Sequence, residues 1–166
     1  MNIRIINEID IEAFFSLCKK VESESQFALL EPFEKAKSLE EQSKLVNSII
    51  NHKNKTIFVV EMDDHLVGYL GVLAGDYPLN SHCAKVTLGI LKEYAGKGIG
   101  RALFERLDKW SEEHTIHRLE LNVSSHNELA INLFILMGFQ YEGARHDSLK
   151  TNNGYINEFT MAKLLG

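Results

Sequence analysis

Cysteine is scarce in this chain: Cys18 and Cys83 are its only two, and they lie far apart. That excludes a cysteine metal site or a redox pair and leaves two buried thiols, as in a reducing cytoplasm. Basic charge is also in short supply. Lys and Arg number 18 against 23 Asp and Glu, a net charge of −5, which argues against general affinity for nucleic acid or an anionic membrane. A cationic partner suits that balance, and so does a neutral one. No apolar run approaches the roughly 18 residues of a membrane span. Asn2, Arg4, Asn7, Glu8 and Asp10 interrupt the N-terminus where a leader peptide would be apolar. Of the seven histidines only His114 and His117 fall close together, astride an expected helix end and strand start, so no metal is expected. Repeats, low-complexity tracts and linkers are absent. What remains is one domain, residues 1–166, with 45% hydrophobic and 25% charged residues, enough for a real core.

Patterning supplies the elements. Residues 2–7, NIRIIN, alternate as a short strand. Asp10 is placed to cap a helix bearing Ile11, Phe14, Phe15, Leu17, Cys18 and Val21. Residues 23–38 have no clear period, and Pro32 is expected to break any helix there. Ser38 and Glu41 form a capping box for a helix whose stripe is Leu45, Val46, Ile49 and Ile50. Residues 55–75 read as a hairpin turning at Asp63 and Asp64, and 85–91 as a third strand. A helix follows to about His114, with Ile99, Leu103, Leu107 and Trp110 on one face and Glu105 with Lys109 as an outer i, i+4 pair. Residues 117–123 alternate as a strand. Ser125 and Glu128 suggest a second capping box, for a helix with Leu129, Ala130, Leu133, Phe134 and Met137 that Gly138 ends. Two strands close the chain. The order β-α-α-β-β-β-α-β-α-β-β describes an α/β domain: a mixed central sheet flanked by helices.

The most informative stretch is YAGKGIGRAL, residues 94–103. Gly96, Gly98 and Gly100 crowd between a strand and a helix, and glycine costs backbone entropy. The first N–H groups of a helix lack intrahelical partners and its dipole is positive there, so this junction suits an anion. Lys97 and Arg101 add cations at its rim. A glycine turn that merely packs helix against strand is the plain alternative. A P-loop needs Lys then Ser or Thr after its last glycine, but Ile99, Gly100 and Arg101 stand here. A dinucleotide fingerprint needs glycine in the sixth place, where Arg101 stands, and an acid ending the next strand, where Asn122 and Val123 stand. The pyrophosphate of coenzyme A is the third candidate.

YAGKGIGRAL resembles the acyl-CoA pyrophosphate loop of the GNAT superfamily of N-acetyltransferases. Gly98 and Gly100 match its glycines, and Ala95 stands where Arg or Gln is usual. LNVSSHNELAINLFILMGFQYEG, residues 121–143, is similar to the family's second signature. GYINEFTMAKLL, residues 154–165, is similar to the closing strand of bacterial amino-acid and polyamine acetyltransferases. The resemblance implies a splayed strand pair holding acyl-CoA. Backbone groups of Leu88, Gly89 and Ile90 would bond the pantetheine arm as an added strand, with Gly89 suited to the β-bulge that splays this strand in the family. N–H groups of Gly96, Lys97, Gly98, Ile99, Gly100 and Arg101 would hold the pyrophosphate, and Asn127 the pantetheine or cofactor tail. The cofactor implied is acetyl-CoA. The implied partner is a small-molecule amine, an amino acid or polyamine, and family habit implies a homodimer.

The implied reaction is attack of a neutral amine on the acetyl thioester. It needs a base for the ammonium proton and an N–H donor for the carbonyl oxygen. An acid for the thiolate is less pressing, because a thiol pKa near about 8.5 makes it a tolerable leaving group. The family's usual side chains are missing: Phe134 stands in the tyrosine's place, and Asn122 and Lys85 where glutamates are common. Tyr94, Tyr155, Glu120 and Glu31 are the replacements on offer. Each also has a plainer role, as a surface aromatic, a ring packed in the sheet, a solvent-facing strand residue and a solvated helix-end carboxylate. No base is named from sequence. The expected function is an acetyl-CoA-dependent N-acetyltransferase in the cytoplasm. Its rival is a cofactor sensor with weakened catalysis, for which the missing tyrosine argues.

Overall fold

In the computed structural model, which describes residues 1–26 and 32–166, the 55–75 hairpin turns where expected. Asp63 and Asp64 both hold positive φ, 50° and 64°, the backbone of a type I′ turn whose twist matches the strands it joins. Those strands are β2 (Lys55–Met62) and β3 (His65–Ala74), with β4 (Cys83–Ile90) antiparallel to β3. Before them come β1 (Asn2–Ile5), α1 (Ile11–Glu24), α2 (Pro32–Lys35) and α3 (Leu39–Ile50). After them come α4 (Ile99–Glu113), β5 (Arg118–Ser124), α5 (Glu128–Leu136) and the hairpin of β6 (Gln140–Thr151) with β7 (Gly154–Leu164). All seven strands share one sheet, ordered β1-β2-β3-β4-β5-β7-β6. It is mixed because β4 and β5 run parallel while the other neighbours are antiparallel.

Side-chain alternation sorts the two faces of this sheet. On one, Phe58 meets Trp110 of α4 edge to face at 6.4 Å, and Phe104 of α4 meets Phe134 of α5 at 5.9 Å. On the other, Tyr69 packs edge to face against Phe14 of α1 and Phe33 of α2, at 5.3 and 5.8 Å. Register carries this second face across the molecule. Tyr69 lies opposite Gly89, Gly71 opposite Thr87, and Leu73 opposite Lys85, which in turn lies opposite Glu120. Asn122 and Ser124 continue it, opposite Thr160 and Glu158. So the face is apolar beneath α1 and α2 and polar beyond Lys85. A Cβ at Gly89 would stand 2.3 Å from the Tyr69 ring, so glycine here admits a ring against backbone. The β3–β4 register runs unbroken through Gly89, and the bulge expected there is absent from that ladder.

Local chemistry shifts several expected boundaries. The first strand stops at Ile5 because Asn7 caps a 3₁₀ turn over Glu8–Asp10, its side chain accepting from Ile9 N–H. Asp10 does not cap α1 with its side chain. Its carboxylate accepts from Asn7 N–H at 2.9 Å and from Arg4 at 2.6 and 2.8 Å. Pro32 starts a helix rather than breaking one: at the first helical position its missing N–H goes unused. Ser38 does cap α3, accepting from Glu41 N–H, but the Glu41 carboxylate returns to Lys37 N–H rather than to Ser38. Glu105 pairs with Arg101 at 3.0 Å instead of with Lys109. Gly138, at φ 94°, follows α5 as its left-handed terminator.

The Arg4 guanidinium, bonded to both Asp10 and Glu61, holds the Asp10 carboxyl below its ordinary value of 3.8. A carboxyl whose pKa is depressed by folding stabilises the fold above its unfolded value and loses that contribution as pH falls through the folded one. Asp10→Asn is therefore expected to lower stability at pH 7 by about 1–3 kcal/mol. In thermal melts the gap to the unmutated protein should close as the pH drops below that ordinary carboxylate range.

Candidate active site

The parallel pair β4–β5 is short. It runs from Cys83 opposite Arg118 to Lys85 opposite Glu120 and stops. Beyond that point β4 continues to Ile90 on the support of β3, and β5 to Ser124 on that of β7. The two strands thus splay, as expected, and among the described residues the inner edge of β4 over residues 86–90 has no strand neighbour. After β4 the chain makes a 3₁₀ turn, Lys92–Tyr94, and enters the glycine loop at the open end of the gap. Gly96 and Gly98 hold φ 73° and 81°, with nothing within 4 Å of where a Cβ would sit. Gly98 occupies the N-cap of α4 and no side chain caps that helix, so its first N–H groups are left for another acceptor. At Gly100 a Cβ would stand 2.6 Å from the Leu133 side chain, so glycine lets α5 close on α4.

Gap and loop open into one cleft of about 640 Å³. Its lining includes Leu88, Gly89 and Ile90 of β4, Gly96, Gly98, Ile99, Gly100 and Arg101 of the loop and α4, and Asn127. Leu129, Leu133 and Leu136 of α5 form an apolar wall, and Val21 and Glu24 bring in the end of α1. Lys97 stands apart from these. Its ammonium lies 5.0 Å over the ring of Tyr94, which itself lines the cleft. Arg101 reaches the cleft while bonded to Glu105, which tempers its charge. Asn127 proves to be the N-cap of α5, its side chain accepting from Ala130 N–H at 3.3 Å. The Ser125 capping box is thereby corrected, and Ser124 bonds His126 N–H instead. Asparagine is itself a favoured N-cap, a signal that the Ser-x-x-Glu spacing hid.

The catalytic candidates scatter. Phe134 is buried among Phe104 and Phe139, outside the cleft lining. Asn122 accepts from the Thr160 hydroxyl at 3.3 Å. Glu120 bonds Arg118 at 3.1 Å and the Cys83 thiol at 3.4 Å, a side-chain cluster at the closed end of the gap. Burial and that carboxylate push the Cys83 thiol up. Tyr155 is exposed near the β6–β7 turn, away from the cleft. Glu31 lies outside the described residues. His114 stacks on Trp110 while His117 faces His82, so the two do not converge. Sequence reading passed over Glu158, a buried carboxylate on the polar face. Its signal was parity: in INEFTMA it shares a strand face with Ile156 and Ala162.

A seven-stranded mixed sheet opened between β4 and β5, with a glycine loop starting a helix at the opening, is an architecture that known proteins share. The Acetyltransferase (GNAT) family profile matches residues 19–139, and the chain belongs to that family. The chain is 32% identical to the spermidine N(1)-acetyltransferase of Vibrio cholerae over 75% of its length and 70% of that protein's. It is 27% identical to the L-amino acid N-acetyltransferase AaaT of Escherichia coli over 62% of its length, a match spanning 64% of that relative. The crystal structure of a GNAT-family acetyltransferase from Streptococcus pneumoniae superposes with a TM-score of 0.91 at 23% identity, over 99% of both chains.

Because Asn127 caps α5, Asn127→Ala should cost about 0.5–2 kcal/mol of folding stability. Chemical denaturation with and without the substitution measures it, and a change near zero would show that the cap is idle.

Proposed function

We propose that this protein moves an acetyl group from acetyl-CoA to the primary amine of a small molecule, an amino acid or a polyamine-like compound. The observation that carries the reading is the early end of the β4–β5 pairing beside an uncapped helix start. The chain's groups fit the cofactor in kind. Leu88 and Ile90 present backbone N–H and C=O groups along an open inner edge, suited to a pantetheine arm that bonds like a strand, while the register turns those of Gly89 toward β3. The N–H groups from Gly96 to Arg101 suit a pyrophosphate, in a loop whose glycines leave room for it. Asn127 uses its carbonyl oxygen as the helix cap and keeps its amide donors for the cofactor. The apolar wall of α5 keeps water from one side of the cleft.

When bound, acetyl-CoA supplies an activated acetyl group. Along β4 the backbone N–H groups are placed to meet developing charge on a carbonyl oxygen at the open edge, a preorganised donor of the oxyanion-hole kind. The polar face beyond Lys85 gives the amine its approach, with Asn122, Ser124, Thr160 and Glu158 arrayed across β5 and β7. The reading assigns the protein to the cytoplasm, a compartment that keeps free thiols such as Cys18 and Cys83 reduced. Among the described residues no helix is long and apolar enough to cross a membrane.

Calorimetry with acetyl-CoA, followed by mass spectrometry of an amine panel, tests the reading. Cofactor binding without any acetylated product would favour the sensor. Gly98→Asp is expected to abolish measurable CoA binding. The new carboxylate sits at the start of α4, where its charge repels phosphate and its bulk fills room that the glycine leaves. The left-handed φ at this position costs the variant roughly 1 kcal/mol in stability, small enough to leave it folded. Unchanged CoA affinity in that folded variant would remove the loop from the site.

A further inference from the structure

We infer that Glu158 and Arg145 are the acceptor-recognition pair of this site, and that they select an amine carrying a neighbouring carboxylate, an α-amino acid, over a polyamine. The inference rests on the acetyl-transfer reading above and names its substrate class. Glu158 lies on β7 opposite Ser124, at the level where β4 and β5 stand apart. Its side chain is 8% exposed, and its ionic partner among the described residues is Arg145, one N–H at 3.1 Å. Arg145 is 68% exposed. A carboxylate accepts several hydrogen bonds and a guanidinium donates five, so both groups keep capacity for a ligand.

The strand geometry holds this pair in place. β6 slips register against β7 just after Arg145, between Arg145 and Leu149. Asp147 takes φ 53° in the slip, and its N–H is held by the Asn157 side chain at 2.9 Å. A bulge re-aims the residues beside it, and here it leaves Arg145 directly over Glu158.

The pair gives a socket for a cation at Glu158 and one for an anion at Arg145. An α-amino acid fills both with its charges paired: ammonium on Glu158 and carboxylate on Arg145. A polyamine would satisfy Glu158 but bring further positive charge against Arg145, a mismatch that acts as discrimination.

The test compares L-amino acids, their methyl esters and spermidine as acetyl acceptors, with ligand-observed NMR of the same probes in the presence of CoA. The best amino acid should exceed its own methyl ester in kcat/KM by about tenfold or more, the size of one charge-assisted contact. In Arg145→Ala that preference should collapse to about one, and Glu158→Gln should weaken acid and ester alike. Equal use of acid and ester by the unmutated protein, a preference for spermidine, or an Arg145→Ala variant that keeps the acid preference would each overturn the inference. Should Glu158→Gln fail to fold, the exposed Arg145→Ala carries the test alone. If no probe is acetylated, the acetyl-transfer reading fails. NMR then decides the pair separately: amino-acid binding lost in Arg145→Ala supports it, and absent or unaltered binding overturns it.

Discussion

Two neighbouring parallel strands that pair at three positions and then part company govern this molecule. Backbone N–H and C=O groups along an opened edge must find partners elsewhere if water is excluded. The fold can hold such a gap because each strand is fully supported on its far side. β3 follows β4 to Ile90, and β7 follows β5 to Ser124. The opening is therefore rigidly framed. The glycine loop and the start of α4 sit at its wide end, so unpaired strand groups and unpaired helix groups face one cleft.

The aromatic packing divides labour across the sheet. Tyr69, Phe14 and Phe33 meet edge to face on one side and cover β3 and β4 there. Their rings need the bare backbone of Gly71 and Gly89, since a Cβ at either would stand 2.3 Å from a ring atom. Gly89 thus looks two ways, supporting an aromatic core on one side of β4 and lining the cleft. Phe134 belongs to the other aromatic group, with Phe104 and Phe139, and its ring has a packing role where the family pattern expects a phenol.

The order of elements could be read from the chain because each long segment states its period. Leu119, Leu121 and Val123 alternate, while Leu103 and Leu107 recur with helical spacing. The glycine loop was legible for a related reason: three glycines at a strand-to-helix junction have few other uses. Caps were less so. Ser125 and Glu128 carry the spacing of a capping box, yet Asn127 lies between them and does the capping. Side-chain partners were least legible of all. That Glu105 takes Arg101, or that Asn122 takes Thr160, depends on competition among neighbours that one-dimensional spacing does not rank. Glu158 shows the limit plainly: strand parity puts it on the face of Ile156 and Ala162, but its partner Arg145 sits on another strand, and spacing alone does not bring the two opposite each other.

A sheet has outer edges as well as inner ones, and both of this sheet's outer edges are poor templates. On one side β1 is four residues long, and Arg4 is tied to Asp10 and Glu61 across it. On the other, β6 changes register twice along its length. Short, charged and bulged edges resist the addition of a stray strand. The inner edge of β4 belongs to a strand in unbroken register with β3, and it opens into the cleft. A chain molecule looking for backbone partners thus meets poor templates at the rim and an open strand edge at the centre.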